Sequence, residues 1–392
     1  MPYPAHHLDS LAVHAGRGDL RALGVHASPI DLSATNPVPG LDAGGLSYEA
    51  MAAGGHPAAD GGAVYARLWN PTVARFEDGL ARLEGTEEAV AFASGMAAMT
   101  AVLLAAARPG RRHVVAVRPL YGGTDHLLRS SMLDAEVTFC AAAQVRSAVR
   151  EDTCLVVIET PANPTLDLVD VAAVAGAADG RPVVVDNTFA TPILQNPARW
   201  GADLVLHSAT KYLGGHGDAV GGVVAANASW AAALRRVRAT TGGILHPLAG
   251  YLLHRGLATL PIRVRAQQDS AAKLATWLTA HPAIGQVHYP GLPECDPHGL
   301  VSKQMRGPGA MISIRLAGGF TQAAQLVSSV QLFEHAVSLG GVTSLIQHPA
   351  SLTHRPVPPD ARPGADIVRL SIGLEDPEDL QTDLAQALHP HG

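Results

Sequence analysis

Between residues 88 and 226 the chain repeats one pattern: a short, continuous apolar run, then a stretch with helical spacing. The runs at 88–93, 113–117, 135–140, 153–159, 181–186 and 202–207 are rich in valine, and a further run lies at 219–225. Strands that are apolar throughout, separated by helices, make a parallel sheet covered on both faces. The expected helices begin near residues 95, 121 and 170, and 72–84 places Val73, Phe76, Leu80 and Leu83 on one helical face. In such sheets ligands sit beyond the carboxyl ends of the strands. Tyr121, Glu159, Asn163, Asp186 and Lys211 all fall at or just after a strand end.

Lys211 stands out. Of the 28 Lys+Arg residues only three are lysines, Lys211, Lys273 and Lys303. Lys211 follows a core strand, flanked by Ser208 and Thr210 and by a glycine-rich turn. A lone lysine at a strand end is ordinarily a solvated edge group, because burying an ammonium costs free energy unless its pKa falls. Here the hydroxyls and glycines suggest a lysine that carries a cofactor aldehyde. Ser94-Gly95-Met96, between a strand and an alanine-rich helix, aims backbone N–H groups at an anion. Asp186 closes the run Val183-Val184-Val185; it could cap the next turn or hold a ring nitrogen. Tyr65 and Arg67 lie on a loop, and arginine suits phosphate through its planar fork.

The segment 203–217, DLVLHSATKYLGGHG, resembles the lysine signature of the Cys/Met-metabolism enzymes that use pyridoxal 5'-phosphate (PLP), among them cystathionine γ-synthase, cystathionine γ-lyase and methionine γ-lyase. The resemblance covers nearly the whole chain, least before residue 63 and around 290–308. It implies an α/β fold of PLP fold type I, aspartate-aminotransferase-like. A mostly parallel sheet would form a large domain, with a smaller α+β C-terminal domain beside it. The boundaries it suggests are an arm and loop at 1–63, a PLP-binding domain at 64–257 and a small domain at 258–392. It implies PLP as a Schiff base on Lys211. Tyr65 and Arg67 would reach the phosphate of an adjacent subunit, with Gly95, Met96, Ser208 and Thr210 as the cradle. Asp186 would lie at the pyridine nitrogen and Tyr121 on the ring, shuttling protons. Asn163 would sit near the phenolic oxygen and the substrate carboxylate, and Arg369 would bind that carboxylate. Ser338 joins the substrate site. No metal is implied. The active sites would be shared between subunits of a homo-oligomer, in this family a tetramer.

Departures from the family bear on the substrate. Relatives that handle cystathionine have glutamates where this chain has Val337 and Val64; a distal ammonium would meet apolar walls there. The expected reaction is therefore γ-elimination or γ-replacement on an amino acid with a short uncharged γ-substituent. It would be methionine γ-lyase-like, with a thiol, acyloxy or halide leaving group. The rival readings are a trans-sulfuration synthase or lyase, and a β-lyase or aminotransferase on the same fold. Methionine γ-lyases carry a cysteine where this chain has Gly123, and the family's Arg-Met-Glu is Arg263-Val264-Arg265 here.

Composition excludes other classes. The net charge is −6 without basic runs, which argues against a nucleic-acid partner. Apolar runs such as 97–107 are too short to span a membrane. Three cysteines are too few and scattered for a disulfide framework. The opening residues lack a charged region followed by an apolar stretch, so the expected setting is a reducing cytoplasm. The stretch 40–62, with seven glycines and no clear periodicity, is expected to be loop.

Overall fold

The computed structural model describes residues 6–359 and 361–389. The valine-rich runs form β1 (Glu88–Phe92), β2 (His113–Val117), β3 (Glu136–Cys140), β4 (Thr153–Glu159), β5 (Val183–Asp186), β6 (Leu204–Ser208) and β7 (Gly222–Ala226). They make one sheet in the order β1-β7-β6-β5-β4-β2-β3. Neighbours from β3 to β6 pair in parallel, whereas β7 runs antiparallel to both β6 and β1. The reversal has a local cause: the link from β6 to β7 holds turns and no crossover helix, so the chain folds straight back. Alternate residues enter two cores. Val115, Val156, Ile158, Val185 and Val205 pack on one face, and Val114, Leu155, Val157, Val184 and Leu206 on the other. Each fully buried aliphatic side chain contributes roughly 1.5–3 kcal/mol, which is why these strands are apolar throughout.

The first helices are α1 (Leu8–His14), α2 (Leu41–Ala52), α3 (Pro71–Glu84), α4 (Gly95–Ala106) and α5 (Gly122–Arg129). α3 starts where the sequence requires it. The Asn70 side chain accepts from the amides of Thr72 and Val73 at 3.0 and 3.2 Å, Pro71 takes the first turn, and Gly85 ends the helix at φ 74. Its face of Val73, Phe76, Leu80 and Leu83 is buried as the spacing predicts. Helices Pro247–Leu257 and Leu260–Thr279 lead to a second, largely antiparallel sheet. It comprises β8 (Ile284–His288), β9 (Met311–Leu316), β10 (Glu334–His335), β11 (Leu345–Gln347) and β12 (Ile367–Ser371), in the order β10-β11-β12-β9-β8. Its residues Ile312 and Val368 join the same core as Val185. Among the described residues no helix is long and apolar enough to cross a membrane.

The expected loop at 40–62 is corrected: residues Leu41–Ala52 are helical. Gly44 and Gly45 lower intrinsic helicity by about 1 kcal/mol each relative to alanine, but tertiary contacts win. Met51 is buried with Leu68 and Ala239 in a small separate core. Buried Ser47 donates to the carbonyl of Gly62 at 2.7 Å and accepts from the amide of Ala58 at 3.1 Å. These partners come from outside the helix, so periodicity alone could not disclose it.

Phe76 is wholly buried, whereas Met132 is 71% exposed. Phe76→Ala is expected to lower unfolding free energy by about 3–5 kcal/mol in urea titration, and Met132→Ala by less than about 0.5 kcal/mol.

Candidate active site

The parallel strands deliver their last residues to one edge, and there the chain encloses a cavity of about 470 Å³. Gly95, Met96, Tyr121, Asn163, Asp186, Ser208, Thr210, Lys211, Val337, Ser338 and Arg369 all line it. The first eight come from the start of α4 and from loops and strand ends of the seven-stranded sheet. Val337 and Ser338 lie between β10 and β11, and Arg369 is on β12, so the second sheet closes the cavity.

Lys211 is the central amine. Its Nζ donates to Ser338 Oγ at 2.7 Å. Burial lowers its pKa from 10.5 to about 8, and the charge of Arg369 adds to the shift. Arg369 is 3% exposed, and burial lowers it to about 10. Its two terminal nitrogens donate to Asn163 Oδ1 and to the carbonyl of Ser338, each at 2.8 Å. Its Nε is buried without a partner among the described residues. Ser338 sits at φ 97, a region that side-chain-bearing residues rarely adopt. The two cations hold this strained residue by its side chain and its carbonyl.

Two carboxyls stand side by side, since Glu159 of β4 pairs with Asp186 of β5. Burial pushes Glu159 up to about 8, and the Asp186 charge adds to it. Glu159 accepts from the amides of Tyr121 at 2.7 Å and Asn163 at 2.8 Å, so one side chain sets both loops. Burial also raises Asp186, opposed by Thr188, whose hydroxyl and amide donate to Oδ1 at 2.5 and 3.0 Å. His207 nearby also favours the charged form.

The far end is built for an anion. Ser94 caps α4, its Oγ accepting from the amide of Ala97 at 3.1 Å, and the first amides of such a helix have no partner within it. The backbones meet closely. A Cβ on Gly95 would lie 3.0 Å from Ser208 Cβ, and one on Gly222 would lie 2.1 Å from the carbonyl of Ser94. An anion cradle, a buried carboxylate and a desolvated amine in one cavity fit the phosphate, the pyridine nitrogen and the aldehyde of PLP.

Three residues singled out from the sequence are absent from this cavity lining: Val64, Tyr65 and Arg67. Tyr65 is 41% exposed and bridges to Thr35, while Arg67 stacks 5.5 Å from the Tyr65 ring and donates to the carbonyl of Ala239. Conversely, sequence reasoning missed Thr188, Phe189, Leu339, Leu352 and Thr353, which do line it. Thr188 left a signal as the residue two after Asp186, and Leu339 as part of the stretch Ser338-Leu339-Gly340-Gly341; the others are brought in by the second sheet and by packing.

The chain is similar to known proteins along nearly its whole length. The family model described as Cys/Met metabolism PLP-dependent enzyme matches residues 9–389. An L-methionine gamma-lyase of Brevibacterium sandarakinum is 60% identical over 383 residues, covering 97% of each chain. The crystal structure of a methionine gamma lyase from Micromonospora echinospora matches with TM-score 0.86 and 39% identity, over 98% of this chain and 99% of the other. A cystathionine gamma synthase from Xanthomonas oryzae pv. oryzae matches with TM-score 0.89 and 36% identity, over 98% of each.

The depressed Lys211 amine gives a test on cofactor-free protein. Labelling by trinitrobenzenesulfonate, followed by peptide mass spectrometry, should rise with pH to a midpoint near 8 at Lys211. The neutral amine is the reactive form, so it accumulates above that value. Arg369→Leu should move the Lys211 midpoint upward, but only part of the way, because burial is the larger cause.

Proposed function

We infer the reaction from one premise: the chain belongs to the Cys/Met metabolism PLP-dependent enzymes. It is a PLP-dependent carbon–sulfur γ-lyase acting on L-methionine or a similarly short γ-substituted amino acid, and it releases a 2-oxo acid, ammonia and a thiol with uptake of one water. The observation that carries the substrate reading is the charge pattern of the cavity. Among the described residues its acidic groups are Glu159 and Asp186 alone. Glu159 is engaged by two backbone amides and Asp186 by Thr188. Val337, Leu339 and Leu352 line the rest of the wall. A distal ammonium, as in cystathionine, would be desolvated there without a counter-charge. The high identity to a named L-methionine gamma-lyase supports the same reading.

Bound PLP supplies an electron sink for charge that develops at the substrate α-carbon. The chain's own groups do the rest. Arg369 pairs with the substrate α-carboxylate, oriented by Asn163, and its unpartnered Nε adds a third donor. Asp186 would hold the pyridine nitrogen and favour its protonated form. Ser94, Gly95, Met96, Ser208 and Thr210 would hold the phosphate. Lys211 Nζ removes the α-proton and then serves the β-carbon, its low pKa suiting it to act near neutral pH. Tyr121 donates a proton to the leaving sulfur. Ser338 steers Lys211 between these positions.

Tyr65 and Arg67 are assigned to the phosphate of a second copy of the chain. Their location outside this chain's cavity supports a shared site in a homo-oligomer, with a tetramer as the family precedent. A reducing, cytoplasmic setting belongs to the same reading, supported by three unpaired cysteines.

Assayed by mass spectrometry of products, L-methionine and short γ-substituted homologues should exceed cystathionine in kcat/KM by at least about tenfold. Lys211→Ala should lose turnover of all of them by a factor of about 10³ or more. Preferred turnover of cystathionine would refute the substrate reading. Co-assembly of inactive Arg67→Ala and Lys211→Ala chains should recover about a quarter of wild-type activity, because one intact shared site forms in each mixed pair; no recovery would refute site sharing.

A further inference from the structure

Asn187 follows Asp186, and His207 precedes Ser208. Successive strand residues face opposite sides of a sheet. Asp186 and Ser208 line the cavity, so Asn187 and His207 turn to its underside, where both are buried. There they meet one carboxylate, that of Glu84, the last residue of α3 and wholly buried. Glu84 Oε1 accepts from Asn187 Nδ2 at 3.0 Å and lies 2.6 Å from His207 Nε2. Oε2 accepts from Asn196 Nδ2 at 3.1 Å. The knot extends outward. Gln195 Nε2 donates to Asn187 Oδ1 at 2.9 Å, Gln304 Nε2 donates to Gln195 Oε1 at 3.1 Å, and Arg306 donates to Asn196 Oδ1.

Stability alone does not account for this arrangement. A buried carboxylate must be compensated by several donors, and well-packed hydrocarbon in its place is often as stable or more so. What the carboxylate does is tie β5 to β6 from below, at the two residues next to Asp186 and Ser208. A second tie runs above it: the amide of Ser208 donates to Thr188 Oγ1 at 2.9 Å, and that hydroxyl donates to Asp186. The turn carrying Asp186 is thus held from both faces. The other ring nitrogen of His207, Nδ1, is buried with no partner among the described residues. Glu84 is therefore the group that orients this imidazole.

We propose that Glu84 is a positioning residue for Asp186: by gripping Asn187 and His207 from beneath the sheet, it fixes the direction in which the Asp186 carboxylate meets the cofactor ring. The proposal rests on the PLP reading of the cavity. It assigns Glu84 no contact with substrate or cofactor.

The test is titration of cofactor-free protein with pyridoxal phosphate, followed by visible absorption and circular dichroism, alongside steady-state kinetics. Glu84→Gln keeps the shape but puts an N–H among donors. It should weaken cofactor binding by at least about tenfold, in the range typical of lost outer-shell partners, and reduce the dichroism of the cofactor band, while KM changes less than kcat. His207→Gln keeps a donor toward Glu84 and should stay within about threefold of wild type, whereas His207→Leu should follow Glu84→Gln. If Glu84→Gln does not fold, the His207 pair decides. Folded Glu84→Gln or His207→Leu protein with wild-type affinity and dichroism overturns the proposal, as does His207→Gln losing as much as His207→Leu. Wild-type protein that takes up no cofactor removes the PLP reading, and this proposal with it; normal wild-type uptake with unchanged variants removes the proposal alone.

Discussion

The cavity depends on a register. β4, β5 and β6 lie side by side in parallel, with Glu159 opposite Asp186 and Asp186 opposite Leu206. That alignment brings carboxylates, hydroxyls and the amine that follows them to one edge, where neighbouring strand ends leave room for a ligand. It also creates an electrostatic problem, because two acids share a buried edge. The chain answers with donors rather than with water. Backbone amides meet Glu159 and Thr188 meets Asp186, while two cations, Lys211 and Arg369, face them across the cavity.

The second sheet completes that answer. Arg369 leaves β12 to reach Asn163, and the same guanidinium holds the carbonyl of Ser338. Ser338 in turn accepts from Lys211. The Arg369 guanidinium, the Lys211 amine and a strained backbone residue are thus mechanically joined. A substrate carboxylate drawing on Arg369 would act on a group already attached to the residue beside the amine. Such strain persists only where the surroundings over-determine it, and here the side chains of Lys211 and Arg369 do so.

Much of this was legible beforehand. The valine runs announced the strands, and the helical spacing of α3 and the Ser-Gly start of α4 were read correctly. The family resemblance, together with strand-end placement, pointed to thirteen of the residues that line the cavity. Other features were hidden for identifiable reasons. α2 carries two glycines and owes its helicity to contacts with residues 58–68 and Ala239. Leu352 and Thr353 reach the cavity from a turn with no pattern of its own. Tyr65 and Arg67 carry a good phosphate-binding chemistry, yet one chain holds them elsewhere.

The sequence by itself determined the layered sheet and singled out the lysine that the cavity holds. Continuous apolar runs admit no other burial than on two faces, and a lysine beside hydroxyls and glycines at such a strand end is a local signal. Only the tertiary structure decided which distant groups share the cavity and which lie beneath it. Arg369 meets Asn163 across 206 positions, Lys211 meets Ser338 across 127, and Glu84 meets His207 across 123. A partner at that separation leaves no periodicity in the chain. It is chosen by the packing of whole elements, and the pairing becomes physical only when burial removes the water that would otherwise satisfy each group.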